Sequence, residues 1–489
     1  MADSKFLAFD IGAESGRAIV GILKNNKLSL AEIHRFPNKQ IKILGHLHWD
    51  ILYLFEELKK GLSLAVNSGH ADIQSIGIDT WGVDFGLIGK NNEILGFPLT
   101  YRDSNTNGIM DKVFKKISRK EIYSITGIQY LQFNSLFQLY SIFNKNKNLL
   151  GLSETLLFIP DLLNFFFTGK KFSEYSIAST SQMLDAKTRK WDRNIFQKLG
   201  LPINIMPRII QSGTIIGKLL PEISIEVGLK NEVDIVAVGC HDTASAVAAV
   251  PFYRENSAFL SSGTWSIIGI ESDKPIINKK SLENNFSNEG GIDNKIRFLT
   301  NVMGMWLLQE VRKVWKKDGK DFYYNELIKL ASASDEFKTI IDPDDSMFLN
   351  PPDMVEAIKR YCICKNRTVP ESKGEFIRCI LESLAIKYKI EIEKINCITE
   401  KHIEALHIVG GGSQNEMLNQ FTADAAGIPV IAGPIEATAI GNILVQAIAK
   451  GMIQSIKKGR KIVSDSFPLK TYLPKNSAKW NKIIEKIKF

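Results

Sequence analysis

The sequence predicts an α/β protein with two domains and mixed sheets, and three observations lead to this prediction. The chain has 489 residues, which is enough for about two or three domains of ordinary size. Strand-like runs alternate with helical patterns after an initial antiparallel meander, as in α/β domains with a mixed sheet. The layout of strand, glycine turn and strand at residues 6–20 starts again at residues 258–268. We therefore predict one domain over residues 1–247 and a second over residues 248–489.

The first domain is predicted to begin with the meander and continue through a helix. Its elements are strands over residues 5–10, 18–23 and 28–36, a helix over 50–64 and a strand over 76–81. The first strand ends on Asp10, and a turn containing Gly12 and Gly16 follows it. Apolar residues recur at helical spacing after Asp50, which is a suitable N-cap residue.

The second domain is predicted to repeat the opening hairpin before a long helical region. Its elements are the two strands of residues 258–268, a strand over 295–302, helices over 305–317 and 373–395, a strand over 406–409, a helix after Ser413, a strand over 429–432 and a helix over 436–450. Ser413 and Glu416 have the spacing of a capping box, and Gly427 is a typical helix stop. A lysine-rich tail from about residue 457 is expected to be a solvated surface.

Composition excludes several classes of protein. The chain starts without the basic and apolar segments of a signal peptide. Its most apolar stretch, residues 156–169, is too short to span a membrane and contains Asp161. Five cysteines in so long a chain favour a reducing compartment. The net charge is +9, but the lysines are scattered and no nucleic-acid-reading motif is present. We expect a cytoplasmic protein that binds neither membranes nor nucleic acid.

Three glycine turns are candidate phosphate-binding elements. The first is the turn of residues 11–17, the second is at residues 261–264 and the third is Gly410–Gly412. Such turns expose consecutive backbone N–H groups that bind anionic oxygens. Asp10 could hold Mg²⁺ through water, and Arg17 could neutralise phosphate oxygens. Each turn also has a purely structural interpretation, as a tight hairpin or a close packing point. The first turn is not a P-loop, because a strand follows it.

Asp242 is a candidate general base. It follows His241, after a strand and at the start of an Ala-rich helix, where the helix dipole favours an ionised acid. An ionised carboxylate beside a substrate hydroxyl is what a kinase needs. The alternative is that Asp242 only caps the helix. Cys362, Cys364 and Cys379 lack a fourth ligand at standard spacing, so zinc is not expected.

A sugar-binding surface needs polar groups beside an aromatic plane. Residues 79–84 supply this mixture after a strand, although Trp81 would also suit the core. Tyr101, Arg102, Asp103 and Asn301 are further polar candidates.

Seven blocks of the chain, in order, resemble the FGGY family of carbohydrate kinases, which is related to actin and hexokinase. The blocks are residues 9–17, 76–85, 101–104, 240–246, 260–266, 301–309 and 407–412. Asp-Thr-Trp-Gly-Val-Asp at 79–84 and His-Asp-Thr-Ala-Ser-Ala at 241–246 are typical of the branch that acts on L-rhamnulose. Relatives often have arginine where this chain has Asn105, so the resemblance implies no sugar-site arginine at that position.

The resemblance implies two ribonuclease H-like (actin-like ATPase) domains with the active site in the cleft between them. It implies transfer of the ATP γ-phosphoryl group to the 1-hydroxyl of L-rhamnulose, which gives L-rhamnulose 1-phosphate and ADP in L-rhamnose breakdown. The first domain would bind mainly sugar and supply the first phosphate segment, and the second would bind mainly nucleotide. The chain would be a monomer or a homodimer.

The resemblance also implies roles for individual residues. Asp242 matches the proton acceptor, and Asp10 lies where related kinases place an acid that supports Mg²⁺ through water. The substrate positions are Gly82, His241, Asp242, Thr243 and Asn301. The ATP positions are Ala13, Glu14, Ser15, Gly16, Arg17, Thr264, Gln309 and Gly411.

Two alternatives stay open on the sequence. A kinase for another ketose or polyol, such as L-fuculose or L-ribulose, would differ by one or two hydrogen bonds to the sugar. An actin-like nucleotide switch without turnover belongs to a different class, and the His241–Asp242 pair argues against it.

Overall fold

The computed structural model describes residues 3–317, 319 and 322–487. These residues form two compact units, each assembled from three stretches of chain. The first unit contains the residues up to Pro251, then Glu271–Phe298 and Ala437–Ser466. The second unit contains Phe252–Ile270, Leu299–Glu436 and the residues from Phe467 onward. The two stretches 271–298 and 437–466 thus leave the second half of the sequence to join the first unit.

The strands and helices are numbered here in chain order. The strands are β1 Ser4–Ile11, β2 Ser15–Lys24, β3 Lys27–Pro37, β4 Gln40–Ile43, β5 His46–Trp49, β6 Ile73–Thr80, β7 Phe85–Gly89, β8 Ser153–Phe158, β9 Ser173–Glu174, β10 Ile209–Ile210, β11 Ile215–Lys218, β12 Asp234–Val236, β13 Ser257–Ser262, β14 Trp265–Ser272, β15 Ser287–Gly290, β16 Ile296–Met303, β17 Ala405–Val409, β18 Val430–Ala432 and β19 Lys470–Tyr472.

The helices are α1 Ile51–Ala65, α2 Ile109–Phe114, α3 Arg119–Thr126, α4 Ser135–Lys145, α5 Lys147–Leu152, α6 Ile159–Thr168, α7 Tyr175–Ser179, α8 Arg193–Leu199, α9 Pro221–Val227, α10 Asp242–Ala248, α11 Lys279–Glu283, α12 Trp306–Lys317, α13 Tyr324–Ser332, α14 Met354–Cys364, α15 Lys373–Thr399, α16 Glu416–Ala426, α17 Ala437–Ala449, α18 Ile456–Ser466 and α19 Ser477–Ile484. Short 3₁₀ helices cover Ser104–Thr106, Ile203–Ile205, Ser346–Phe348 and Gly411–Gln414, and a π-helical turn covers Val66–His70.

The first unit is built on a mixed sheet with the strand order β11-β12-β6-β1-β2-β3. The predicted meander is confirmed, because β1, β2 and β3 pair antiparallel, while β1 and β6 are parallel. Leu7 and Phe9 pack in one apolar core with Leu58 of α1. The predicted cap of this helix is also confirmed, since Asp50 Oδ1 accepts the Tyr53 N–H at 3.1 Å.

Helix α17 packs on the strands of the same sheet through polar and small residues. Asn442 Nδ2 donates to Gly77 O at 3.2 Å, and Gln446 Nε2 donates to Leu7 O at 3.0 Å. A Cβ built on Gly77 would lie 2.4 Å from Asn442 Oδ1, so only glycine allows this approach. The C-terminal half of the chain therefore supplies a buried layer of the first unit.

The second unit repeats the opening arrangement of the first. Strands β13 and β14 pair antiparallel, and β13 runs parallel to β17, as β1 does to β6. The sheet continues through β18 and β19, so five neighbouring strands of its seven follow the order β14-β13-β17-β18-β19. The predicted mixed α/β architecture and its repeated strand–turn–strand layout are both confirmed.

The predicted capping box after the triple glycine is wrong. Helix α16 begins at Glu416, and its N-cap is Asn415, whose Oδ1 accepts the Leu418 N–H at 3.0 Å. Ser413 instead donates its hydroxyl to Gly410 O at 2.7 Å inside a 3₁₀ turn. The predicted stop at Gly427 is confirmed, with φ of 70°.

None of the helices in the described part of the chain is long and apolar enough to cross a membrane. The lysine-rich segment after residue 456 contains α18, which belongs to the first unit. Lys457, Lys458 and Lys461 are exposed, whereas Arg460 donates to Val247 O at 3.0 Å and to Glu271 at 2.9 Å.

Candidate active site

The turn between β1 and β2 presents backbone N–H groups suited to phosphate oxygens. Gly12 N–H donates to Ser15 O at 2.9 Å, and Asn38 braces the turn by donating to Gly12 O and Glu14 O, both at 2.9 Å. Within the described residues, the N–H groups of Ala13 and Glu14 have no protein acceptor. The turn can therefore bind an anionic oxygen without losing an internal hydrogen bond.

Two carboxylates lie one residue before the ends of the neighbouring parallel strands β1 and β6. Asp10 lies opposite Asp79 in the strand register, and Asp10 Oδ2 accepts from Arg17 Nη2 at 2.5 Å. Asp79 is fully buried, and its Oδ2 accepts from Asn442 Nδ2 at 2.6 Å. Burial and the nearby charge of Asp10 raise the pKa of Asp79 well above its usual value.

The Asp10–Asp79 pair fits a hydrated divalent cation. Asp79 Oδ1 is buried and has no hydrogen-bond partner in the described chain. A cation near both carboxylates would offset the repulsion that raises the Asp79 pKa. No group of three or more potential metal ligands occurs among the described residues. The arrangement therefore suits Mg²⁺ held mainly through its own water shell, which this ion gives up reluctantly.

Asp242 is the first residue of α10 and is partly open to solvent. Its side chain is 31% exposed. Oδ1 accepts the N–H and the hydroxyl of Thr243 at 2.5 and 3.0 Å, and Oδ2 has no partner among the described residues. The N-cap position of the helix belongs to His241, although Asp242 does accept one N–H of the first turn. Asp242 thus has a free oxygen able to accept a proton.

The segment from Gly82 to Asp84 forms a tight turn beside His241. Asp84 N–H donates to Gly82 O at 2.9 Å, and the central residue, Val83, has φ of 69°. β-Branched residues rarely adopt this conformation, and such strain is often found at functional sites. A Cβ on Gly82 would lie 3.3 Å from His241 Nε2. Glycine therefore keeps the space beside this ring nitrogen open.

Asp84 is a buried acceptor that ties four segments of the first unit together. Its Oδ2 accepts from Trp49 Nε1 at 2.7 Å, Trp81 Nε1 at 2.9 Å and the Tyr101 N–H at 3.0 Å. Its Oδ1 accepts from Gln138 Nε2 at 2.8 Å. The two indole rings are 4.2 Å apart between centroids, and Trp81 is 5% exposed. Trp81 thus has the structural role that the sequence left open.

The other two glycine turns lie in the second unit, at the C-terminal ends of the parallel strands β13 and β17. Gly263 N–H donates to Trp265 O at 2.9 Å, and the Thr264 N–H has no acceptor among the described residues. Gly410 has φ of 83° and follows β17, the parallel neighbour of β13. A Cβ on Gly412 would lie 2.0 Å from Ser262 Oγ, which shows that the two turns are in contact.

The predicted site residues fall into two groups. Asp10, Ala13, Glu14, Ser15, Gly16, Arg17, Gly82, His241, Asp242 and Thr243 lie in the first unit, and Thr264, Asn301, Gln309 and Gly411 lie in the second. In the first unit, Thr80 N–H donates to Cys240 O at 2.9 Å, which joins the end of β6 to the segment that carries His241 and Asp242. In the second, Gln309 Oε1 has no hydrogen-bond partner in the described chain.

Sequence reasoning missed several residues around His241 and Asp79. Glu289 and Arg297 lie in β15 and β16 and contact the His241 ring, while Asn442 of α17 binds Asp79. Glu289 and Arg297 stand in strands without a recognisable motif, so no pattern marked them. Asn442 interrupts an apolar Ala-rich helix, which was a usable signal of a buried polar contact.

Two family domains match the chain in tandem. Residues 5–249 match the N-terminal domain of the FGGY family of carbohydrate kinases, and residues 258–450 match its C-terminal domain.

Several curated proteins are similar over nearly the whole chain. A protein named Rhamnulokinase from Bacteroides thetaiotaomicron is 45% identical over 476 residues, which cover 97% of each chain. Proteins of the same name from Oceanobacillus iheyensis and Bacillus subtilis are 44% and 40% identical, with coverage of 95% and 96% of this chain and 97% and 96% of theirs.

Solved structures share the fold at low sequence identity. Gluconate kinase from Lactobacillus acidophilus superposes with a TM-score of 0.81 at 16% identity, with 99% of this chain and 97% of that chain covered. Plasmodium falciparum glycerol kinase with ADP gives a TM-score of 0.78 at 15% identity, with 100% and 99% covered. At these identities the likeness concerns the fold alone.

Proposed function

Since the chain belongs to the FGGY family of carbohydrate kinases, we propose that it transfers the γ-phosphoryl group of ATP to the 1-hydroxyl of L-rhamnulose. The products are L-rhamnulose 1-phosphate and ADP, as a step of L-rhamnose breakdown. The observation that carries this proposal is the 45% identity, over 97% of the chain, to a protein named Rhamnulokinase.

We assign the proton-accepting role to Asp242. Its Oδ2 has no partner among the described residues, and the side chain is partly exposed, so a sugar hydroxyl can reach it. Thr243 fixes the other oxygen through two hydrogen bonds. A positioned general base contributes about 10²–10⁴-fold in rate, and alignment of the reactants contributes more.

We assign sugar binding mainly to the first unit. Gly82 leaves space beside His241 Nε2, and Thr243 and Asp242 border the same region, while Asn301 is the proposed contribution of the second unit. The strained turn at Val83 is held on both sides, because its N–H donates to Thr180 Oγ1 at 3.3 Å and its carbonyl accepts from Ser135 Oγ at 2.5 Å.

We assign phosphate binding to the glycine turns of both units. The free N–H groups of Ala13 and Glu14 support binding of phosphate oxygens, with Ser15, Gly16 and Arg17 in the same hairpin. Thr264, Gln309 and Gly411 are the proposed nucleotide contacts of the second unit. Mg²⁺ held near Asp10 and Asp79 would neutralise phosphate charge, which is the chemistry this ion supplies in phosphoryl transfer.

We place the reaction in the cytoplasm. The support is the sparse and odd set of five cysteines in the sequence, which fits a reducing compartment better than a disulfide framework.

The proposed function is tested by ADP release from purified protein with Mg²⁺-ATP. The acceptors are L-rhamnulose, L-fuculose, L-ribulose, D-xylulose and glycerol. We expect the highest kcat/KM with L-rhamnulose, by about tenfold or more, because epimers lose hydrogen bonds in a site built for another sugar. Preference for another acceptor would replace the substrate, and tight ATP binding without turnover of any acceptor would contradict the kinase proposal.

Gly411→Ala is expected to raise the KM for ATP about 10-fold without lowering the thermal midpoint. A Cβ at this position meets no protein atom within 4 Å, so its only obstacle would be a nucleotide against the turn. The measurements are steady-state kinetics with varied ATP and a thermal unfolding curve.

Gly412→Ala is the matched control, one residue along the same turn. Its Cβ would lie 2.0 Å from Ser262 Oγ, so this variant should lose stability through packing inside the protein. An unchanged KM for ATP in Gly411→Ala would remove the third glycine turn from the proposed nucleotide site.

A further inference from the structure

The imidazole of His241 is enclosed by charged groups on one side and by the proposed reaction site on the other. Its Nδ1 lies 3.1 Å from Arg297 Nη2 and 3.3 Å from Glu289 Oε2. Its Nε2 lies 3.4 Å from Asp242 Oδ1 and next to the open space at Gly82. His241, Glu289 and Arg297 are 8%, 6% and 0% exposed, so water has little access to the Nδ1 side.

Two groups face Nδ1, and only one of them has hydrogen-bond geometry: Arg297 Nη2 does, whereas Glu289 Oε2 has no hydrogen-bond partner in the described chain. A guanidinium has only donors, so a nitrogen that faces it at 3.1 Å must offer a lone pair. Nδ1 is then unprotonated, and a neutral ring carries its proton on Nε2. The opposite tautomer would turn the Nε2 lone pair toward the Asp242 carboxylate, which is also an acceptor.

Arg297 is itself fixed in place. Its Nε donates to Gly290 O at 2.9 Å, and Nη2 lies 3.2 Å from Glu289 Oε2. The hairpin that carries both residues is closed by Gly291 N–H, which donates to Lys295 O at 2.8 Å. The guanidinium therefore favours the ionised form of Glu289, and this carboxylate balances its charge.

We propose that Arg297, balanced by Glu289, is a positioning residue that keeps His241 in the Nε2–H form. The ring then donates a hydrogen bond to a sugar oxygen beside the reacting hydroxyl, while Asp242 remains the acceptor of the reacting proton. This role for the ring rests on the proposed function, and it makes His241 a determinant of sugar binding rather than a base. Arg297 touches the ring from the side opposite the substrate.

The tautomer is read by ¹⁵N NMR of histidine-labelled protein, with the His241 signals assigned by their loss in His241→Gln. In the unaltered protein we expect Nε2 to give the shift of a protonated nitrogen and Nδ1 that of an unprotonated one. In Arg297→Met, Glu289 is free to accept from Nδ1, so the assignment should reverse. The KM for the sugar should then rise about 10- to 100-fold, by analogy with the loss seen when a residue that orients a metal-binding histidine is removed. The KM for ATP should stay within about twofold.

The double variant Arg297→Met/Glu289→Gln guards against simple misfolding, because it removes both charges and leaves no unpaired ion. It should also lose the fixed tautomer and the sugar affinity. Arg193→Met, an exposed arginine of the same unit, is the matched control and should keep both.

A protonated Nδ1 in the unaltered protein would overturn the proposal, as would an Nε2–H signal that persists in Arg297→Met. The NMR experiment measures the tautomer without any substrate. Its result therefore tests the role of Arg297 even if L-rhamnulose is not the substrate, and the two proposals can fail separately.

Discussion

Replacing Asp242 with asparagine is expected to lower kcat by about 10²–10⁴-fold while ATP binding remains within about threefold. The amide has nearly the same shape, and it can still accept from Thr243 through its oxygen, so the first turn of α10 should form. It cannot accept the proton of the sugar hydroxyl. The measurements are ADP release under saturating substrates and the Kd for ATP from calorimetry.

Asp111→Asn is a suitable control for the Asp242 variant. Asp111 is an exposed acid in the first turn of α2, another short helix of the first unit, and its substitution should leave kcat unchanged. If Asp242→Asn removed ATP binding as completely as turnover, Asp242 would be a structural residue of the nucleotide site. The general-base assignment would then be withdrawn.

Replacing Asp84 with leucine is expected to lower the free energy of unfolding of the first unit by about 3–5 kcal/mol. Leucine has a similar volume but accepts no hydrogen bond. The indole N–H groups of Trp49 and Trp81, the Tyr101 N–H and the Gln138 amide would be left buried without this acceptor. The measurement is urea unfolding followed by tryptophan fluorescence. A loss below about 1 kcal/mol would mean that water replaces the carboxylate.

Asp84→Asn is the control, because one amide oxygen can keep the three donors that now share Oδ2.

The asparagine variant also isolates the effect of the Asp84 carboxyl on how stability depends on pH. Burial raises the pKa of Asp84 from 3.8 to about 6 in spite of its four donors. Between these pH values the folded protein holds a proton that the unfolded chain has released, so this group's contribution to stability falls as pH rises. We expect the free energy of unfolding of the asparagine variant to fall less steeply between pH 3.8 and about 6 than that of the unaltered protein. Equal pH dependence in the two proteins would contradict the raised pKa of Asp84.

Much of the fold could be predicted because local patterns and tertiary structure agree. The hairpin of β1 and β2 has alternating strand character around a glycine turn, and Asp50 is placed where a helix needs an acceptor. The Asp242 position was predictable for the same reason, as an acid between a strand and an Ala-rich run. Ser413 was misassigned because Asn415, two residues on, is an equally good N-cap, and the glycine turn shifts the helix start to it.

The surroundings of His241 could not be predicted from local patterns. Glu289 and Arg297 acquire their role only when the strands β15 and β16 bring them to a ring more than forty residues earlier in the chain. A charged residue in a strand usually points to solvent, so neither residue suggested a buried contact. Asn442 and Gln446 were likewise assigned to a helix, but their partners on β1 and β6 are about four hundred residues away.

The late arrival of α17 sets a limit on folding during synthesis. Side chains of this helix bind Ser75, Asp79 and the Leu7 carbonyl. These buried polar groups of the first unit therefore lack their partners until residues 437–466 have been synthesised. At about 5–20 residues per second, a ribosome needs roughly 10–40 s to pass from the end of the first long stretch to the end of α18. Throughout that interval the nascent sheet exposes a face whose cover has not yet been translated. Nascent-chain binding by chaperones should therefore be densest between these two points.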